Sequence, residues 1–215
     1  MRLYDTMARG VVEVAPADGR TLTMYSCGPT VYRYAHIGNL RTFLMADLIR
    51  RAFEYTGTSV RQVQNITDVG HMTDELTDSG RDRMELSVEA EGKSAEEIAA
   101  FYTDWFLRDT EAFNIQRAVA YPKASDHIPH MIEIITKLLE REHAYEVEGT
   151  VYYDVLSFPD YGRLSGNTLE ALHADHRKAI GDTNKRHHAD FVLWMNAGPQ
   201  RLIKFASPWG EGYPG

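Results

Sequence analysis

Thr21-Leu22-Thr23-Met24-Tyr25-Ser26 leads without a break into Cys27-Gly28-Pro29-Thr30-Val31-Tyr32, and His36-Ile37-Gly38-Asn39 follows shortly after. The first run alternates apolar and polar residues, as a strand does. A helix is predicted to leave the loop over Leu40 to Tyr55, with Leu40, Leu44, Leu48 and Ala52 in one apolar row and Met45, Ile49 and Phe53 in a second. Apolar surface of that width implies packing against a sheet. Gly57 stands where a helix commonly ends, and Ser59 to Ile66 reads as a second strand. Strand, helix and strand within about 45 residues make a βαβ unit, so the two strands are expected to be parallel. A strand followed by a small-residue loop and a helix start is also the geometry that places a phosphate at a helix N-terminus.

The bulk properties narrow the class. The 215 residues are 43% hydrophobic, enough for one large domain or one domain with an insertion. No stretch reaches the roughly 18 consecutive apolar residues of a membrane span, and Met1-Arg2-Leu3-Tyr4-Asp5-Thr6 lacks the apolar stretch of a signal peptide. A single cysteine excludes an internal disulfide framework and fits a reducing cytoplasm. A net charge of −8 excludes a basic platform over the whole surface. Lys185-Arg186-His187-His188 is a local basic run that reads as a solvated loop.

Beyond the βαβ unit, residues 67–93 are polar, carry Gly70, Gly80 and Gly92, and read as loop with a short helix near Met84 to Ala90. Ser94-Ala95-Glu96-Glu97 is a capping box. It opens a helix with Ile98, Phe101, Tyr102, Trp105 and Phe106 at the spacing of one buried stripe. Another helix shows Ile128, Met131, Ile132, Ile135, Leu138 and Leu139. Trp105, Phe106 and Met131 read as core. Thr150 to Val155 looks like a strand of a small sheet, residues 160–190 are polar and turn-rich, and Asp190 to Met195 reads as a buried strand. Ser207-Pro208-Trp209-Gly210-Glu211-Gly212-Tyr213-Pro214-Gly215 reads as a loop that leads onward. No internal repeat is present.

Several residues carry possible chemistry. His36 at a helix start can donate to a phosphate oxygen where the helix dipole and unpaired N–H groups already favour an anion. Gly38 removes side-chain bulk, and Asn39 adds an amide hydrogen bond. Phosphoryl and nucleotidyl transfer need positioning and charge stabilisation more than covalent help. Cys27 is open to three readings, an inert thiol, a reactive thiol that would need a nearby base, or a soft metal ligand; zinc would need about three further ligands. His127-x-x-His130 and His173-x-x-His176 have ligand-like spacing that also arises by chance. Thr67 and Asp68 follow the second strand, where ligands sit in open α/β sheets. Asp68 reads equally as a cap or turn residue.

Cys27 through Phe43 resembles the signature loop of cysteinyl-tRNA synthetases, and Asn65-Ile66-Thr67-Asp68-Val69-Gly70-His71 resembles that family's second block. Asp190-Phe191-Val192-Leu193-Trp194 and Ser207-Pro208-Trp209-Gly210 resemble the approach to its third. The resemblance implies an α/β fold with a Rossmann-type parallel sheet, the N-terminal half of a class I synthetase catalytic domain, carrying a connective α+β insertion. Residues 1–120 would be the first half of the catalytic domain, 121–190 the insertion, and 191–215 the return toward the second half. It implies ATP, with magnesium, as a substrate that activates cysteine to cysteinyl-adenylate, and transfer to tRNA(Cys), in the cytoplasm and without a membrane partner. Carried over, Cys27 is a zinc ligand for the substrate thiolate, which zinc prefers to a serine hydroxyl. His36 and Asn39 are the catalytic pair, standing at the first and last positions of a His-Ile-Gly-His tetrad in which asparagine replaces the final histidine. Pro29, Thr30 and Gly38 join them in binding the nucleotide, Gly28 and Thr67 bind the amino-acid substrate, and Met24 and Tyr25 belong to the supporting strand. The family's next segment, Gly-Trp-His-x-Glu-Cys, then a Lys-Met-Ser-Lys-Ser loop and an anticodon-binding domain, lies past Gly215. The expectation is therefore an N-terminal part that is inactive alone. A ligase joining cysteine to an amino sugar and a non-catalytic nucleotide- or partner-binding module are the competing readings; Val31 to Tyr34 and Arg41 to Phe43 favour the tRNA enzyme over the first.

Overall fold

The computed structural model describes residues 1–69, 88, 92–166, 183–199 and 201–215. They gather into two units, one formed by Met1 and Val14–His127, the other by Arg2–Glu13 and Ile128–Gly215. The second unit includes an antiparallel hairpin that the sequence pattern did not reveal, β1 (Arg2–Asp5) with β2 (Gly10–Glu13). Its turn depends on Arg9 in the left-handed region at φ 51°, which Thr6-Met7-Ala8-Arg9 does not announce with a glycine or asparagine.

The first unit holds the βαβ core. β3 (Thr21–Ser26) pairs in parallel with β4 (Ser59–Gln64), Thr21 opposite Ser59 and Ser26 opposite Gln64. The crossover is α1 (Ile37–Tyr55), one turn longer at its start than the apolar rows indicated. It ends in a Schellman motif: Gly57 at φ +84° donates to Glu54 O, and Thr58 N–H reaches back to Phe53 O. Beyond β4, residues 119–124 continue the parallel ladder through Gln64 N–H to Ala120 O and Ile66 N–H to Pro122 O.

The two apolar rows expected on α1 do not both turn inward. Leu40, Phe43, Ala46, Asp47 and Phe53 are buried, whereas Met45 and Leu48 are each 57% exposed. Leu40 comes from the first expected row and Phe53 from the second, while Phe43 belongs to neither, and Asp47 is tied down on the buried side. Its carboxylate accepts from Arg51 Nε at 2.6 Å and from Gln116 N–H at 2.9 Å. α2 (Ala95–Ala112) starts in the expected capping box, Ser94 with Glu97. Ile98 and Phe106 lie in the core, with Phe106 edge-on to Phe43 at 5.3 Å, but Phe101 is 38% exposed, so the predicted stripe is buried only in part.

The second unit contains α3 (Ile128–Glu140) and a five-stranded antiparallel sheet. The sheet is built from β5 (Ala144–Val147), β6 (Thr150–Tyr153), β7 (Phe191–Asn196), β8 (Phe205–Ser207) and β9 (Gly210–Pro214), in the order β5-β6-β7-β9-β8. The segment 207–215 is thus not a loop: Ser207 to Gly210 turns a hairpin, and β9 pairs with β7. Gly212 makes this pairing possible, since a Cβ there would stand 2.1 Å from the Nε1 of buried Trp194. Lys185 to His188 is likewise not a loosely solvated loop. Arg186 stacks on Tyr145 at 4.1 Å, and buried Asp190 accepts from Tyr145 Oη, His187 N–H and Val155 N–H. Among the described residues no helix is long and apolar enough to cross a membrane. Gly70, Gly80, His71, the His173/His176 pair and nearly all of the expected 84–90 helix lie outside the described residues.

Candidate functional site

The signature loop leaves the carboxyl end of β3 and is clasped by the residues that end β4. Gln64 Nε2 donates to Cys27 O at 3.2 Å, and Gly28 N–H donates to Asn65 Oδ1 at 3.0 Å. Thr67 N–H donates to Pro29 O at 3.0 Å, while Val31 N–H donates to Thr67 O at 3.1 Å. Asn65 Nδ2 donates to Thr67 Oγ1, also at 3.0 Å. The chain passes so close at Gly28 that a Cβ would lie 1.6 Å from Asn65 O. Pro29 and Val31 are buried, while the Cys27 thiol and Thr30 are exposed. Cys27, Gly28, Pro29, Thr30 and Thr67 are therefore brought together, as the strand-end argument required.

Asp68 takes the other of its two readings. Its Oδ1 accepts from Ser125 N–H at 2.9 Å and its Oδ2 from Ser125 Oγ at 2.5 Å, so it caps the short turn ahead of α3.

The N-terminus of α1 caps itself. His36 is the N-cap residue; its Nδ1 accepts from Gly38 N–H at 3.0 Å, and Asn39 Oδ1 accepts from His36 N–H at 3.2 Å. Asn39 and Leu40 N–H groups both go to His36 O. The Gly38, Asn39 and Leu40 N–H groups are thus engaged within the turn, and the His36 and Asn39 side chains add donors of their own to the helix start. With Nδ1 accepting, the neutral imidazole carries its proton on Nε2, and Asn39 keeps its Nδ2 hydrogens. The space beside Gly38 also has a use that differs from the expected one. The His36 ring occupies it, and a Cβ would lie 2.8 Å from Cε1.

A pocket of about 120 Å³ is lined by Gly28, Pro29, Thr30, Tyr32, Arg33, Tyr34, Ala35 and Asn39. Small-molecule sites span roughly 300–1,000 Å³, so this pocket has room for a phosphate-sized group. For zinc, about four ligands are needed. Among the described residues no group of three or more histidine, cysteine, aspartate or glutamate side chains is placed to hold a metal ion. Cys27 alone does not make a site, and His127 Nδ1 is engaged with Lys123 O at 2.8 Å. The sequence reading missed Gln64, Asn65 and Tyr34. The two amides sit in a strand otherwise read for its apolar positions, and nothing in Tyr34 itself marks its contacts.

Comparison with known proteins places the chain in a family. The profile described as tRNA synthetases class I (C) catalytic domain matches residues 13–215. A cysteine–tRNA ligase of Salinibacter ruber is 46% identical over the whole chain, which covers 42% of that relative. One of Thermus thermophilus is 44% identical over 99% of the chain and 44% of the relative. The chain thus spans less than half the length of these curated relatives. Among solved structures, Mycobacterium tuberculosis methionyl-tRNA synthetase in complex with methionyl-adenylate has a TM-score of 0.50 at 18% identity, covering 64% of this chain and 25% of that one. At that identity the likeness is one of fold.

Proposed function

The chain belongs to the class I (C) tRNA synthetase catalytic-domain family, and from that premise we propose that it supplies the nucleotide- and cysteine-binding wall of a cytoplasmic cysteine–tRNA ligase. The observation that carries the reading is the clasped loop Cys27–Asn39, which runs from the end of a parallel strand into a helix whose first turn presents His36 Nε2–H and Asn39 Nδ2–H. In the proposed reaction the cysteine carboxylate attacks the α-phosphorus of ATP, pyrophosphate leaves, and the acyl group of the adenylate passes to tRNA(Cys). His36 and Asn39 donate to phosphate oxygens as negative charge moves toward the leaving pyrophosphate. Pro29 and Thr30 form the wall of the phosphate-sized pocket, with Gly38 keeping the turn open enough for the His36 ring to fold back. Thr67 and the Cα and carbonyl of Gly28 face the amino acid, since the Gly28 N–H is held by Asn65. Magnesium accompanies ATP.

Cys27 is proposed as one zinc ligand. The described residues do not complete such a site, and no step here runs through the ion. Residues 1–120, 121–190 and 191–215 are proposed as first catalytic half, insertion and return. The names of the relatives favour a tRNA acceptor over an amino sugar.

The test is cysteine-dependent exchange of pyrophosphate into ATP by the full-length gene product, with serine as the control amino acid. Exchange with cysteine and not with serine is expected. Absence of amino-acid-dependent exchange, or adenylate discharge to an amino sugar and not to tRNA, overturns the proposal.

A further inference from the structure

Between Val31, held by Thr67, and His36, which caps α1, the loop crosses the aromatic face of α2. Tyr34, two residues ahead of His36 and part of the pocket wall, meets three rings there. Its centroid lies 5.1 Å from Tyr102, 5.5 Å from Trp105 and 6.2 Å from Phe101, at interplanar angles of 87°, 82° and 66°. All three are edge-to-face arrangements, the geometry that the ring quadrupole favours. The three rings also hold one another: Phe101 stands edge-on to Tyr102 at 5.1 Å and to Trp105 at 6.3 Å. Lys93 Nζ lies 5.0 Å from the Phe101 ring and the Arg108 guanidinium 5.4 Å from that of Trp105.

This socket stands on a fixed base. α2 is capped by Ser94 and Glu97 and anchored by wholly buried Ile98 and by Phe106, which packs on Phe43 of α1. Yet Tyr34 remains 52% exposed. A half-exposed ring contributes little to a core, while three oriented contacts define its place closely. Such an arrangement suits a residue that sets the path of a loop.

We infer that Tyr34 is a positioning residue: seated in the Phe101–Tyr102–Trp105 socket, it fixes the loop that delivers His36 and Asn39 to the reacting phosphate. The inference rests on the proposed role of those two residues. It assigns α2, which carries none of the predicted site residues, a share in aligning the site. A misplacement of about 1 Å caused at a distance from the chemistry can slow it by about a hundredfold. A partial loosening is therefore expected to slow it by roughly tenfold or more.

The test is single-turnover formation of cysteinyl-adenylate by the full-length gene product at saturating cysteine and ATP. Amplitude counts competent sites, and the rate constant reports alignment. Tyr34→Ala is expected to keep the amplitude and lower the rate constant by about tenfold or more. Tyr34→Phe, which retains the ring edge, is expected to restore it to within about threefold. Trp105→Ala should slow the step similarly, and the double variant should be little worse than either single one, because both remove one shared contact. Where Tyr34→Ala yields no soluble protein, Tyr34→Leu is read in the same way. A wild-type rate constant in Tyr34→Ala overturns the inference, as does a loss of amplitude at an unchanged rate constant, or failure of Tyr34→Phe to recover. His36→Asn run alongside separates the two readings. If it too reacts at the wild-type rate, the nucleotide-site reading fails; if it is slow while Tyr34→Ala is normal, only the socket inference fails.

Discussion

Replacing His36 by asparagine, and separately by alanine, divides two roles that the imidazole fills together. As N-cap, its Nδ1 takes the Gly38 N–H at 3.0 Å. As nucleotide donor, its Nε2–H is proposed to meet the phosphate. Asparagine is among the best N-cap residues and can take the same amide, whereas alanine leaves it unpaired at a cost of about 1 kcal/mol. In a chain of this size that corresponds to a melting point lowered by roughly 2–4 °C. Neither substitute places a donor where Nε2–H stands. Losing one donor aimed at transition-state charge typically costs about 2.7–4 kcal/mol, or a hundred- to a thousandfold in rate. Thermal denaturation should therefore separate the variants, His36→Asn staying near wild type and His36→Ala falling below it. Cysteine-dependent pyrophosphate exchange by the full-length gene product should unite them, both losing about a hundredfold or more. If His36→Asn exchanged at the wild-type rate, the imidazole would be a cap and nothing more. If the two variants melted together, the capping bond would carry no stability.

Gly28→Ala sets a methyl group 1.6 Å from Asn65 O, and overpacking against backbone costs about 2 kcal/mol or more; a melting point within the error of wild type would show that β4 yields easily. Tyr145 ionises well above the usual tyrosine range, first because it is desolvated by burial and second because it donates to Asp190. A raised folded-state pKa means that its contribution is complete below the unfolded value near about 10 and is lost as pH rises beyond it, so Tyr145→Phe should flatten the alkaline limb of a stability–pH curve, and an unchanged limb refutes the assignment. Residues 1–215 alone are expected to hold zinc at well below one equivalent by elemental analysis and to show no cysteine-dependent exchange; one tightly held equivalent lost in Cys27→Ala would prove that residues of this chain complete a site.

Local pattern alone was enough for the central βαβ unit, the Gly57 helix end, the Ser94–Glu97 cap and the loop that carries the candidate site. Each depends on neighbours within a few positions, where strand alternation, helical spacing and capping chemistry act. The pattern could not say which side of α1 turns inward, because burial of Phe43 and the Asp47–Gln116 bond take effect only once the partners are in place. It left Asp68 between two roles until Ser125, 57 residues away, reached its carboxylate. The amides that clasp the loop reach across 37 residues, and the aromatic socket for Tyr34 lies on a helix beyond another strand. The hairpin at 205–214, taken for an onward loop, exists because β7 offers it a partner and Trp194 a surface. Such contacts are products of register and docking, so tertiary structure alone decided them: a side chain's chemistry is local, but what it touches is a property of the assembled chain.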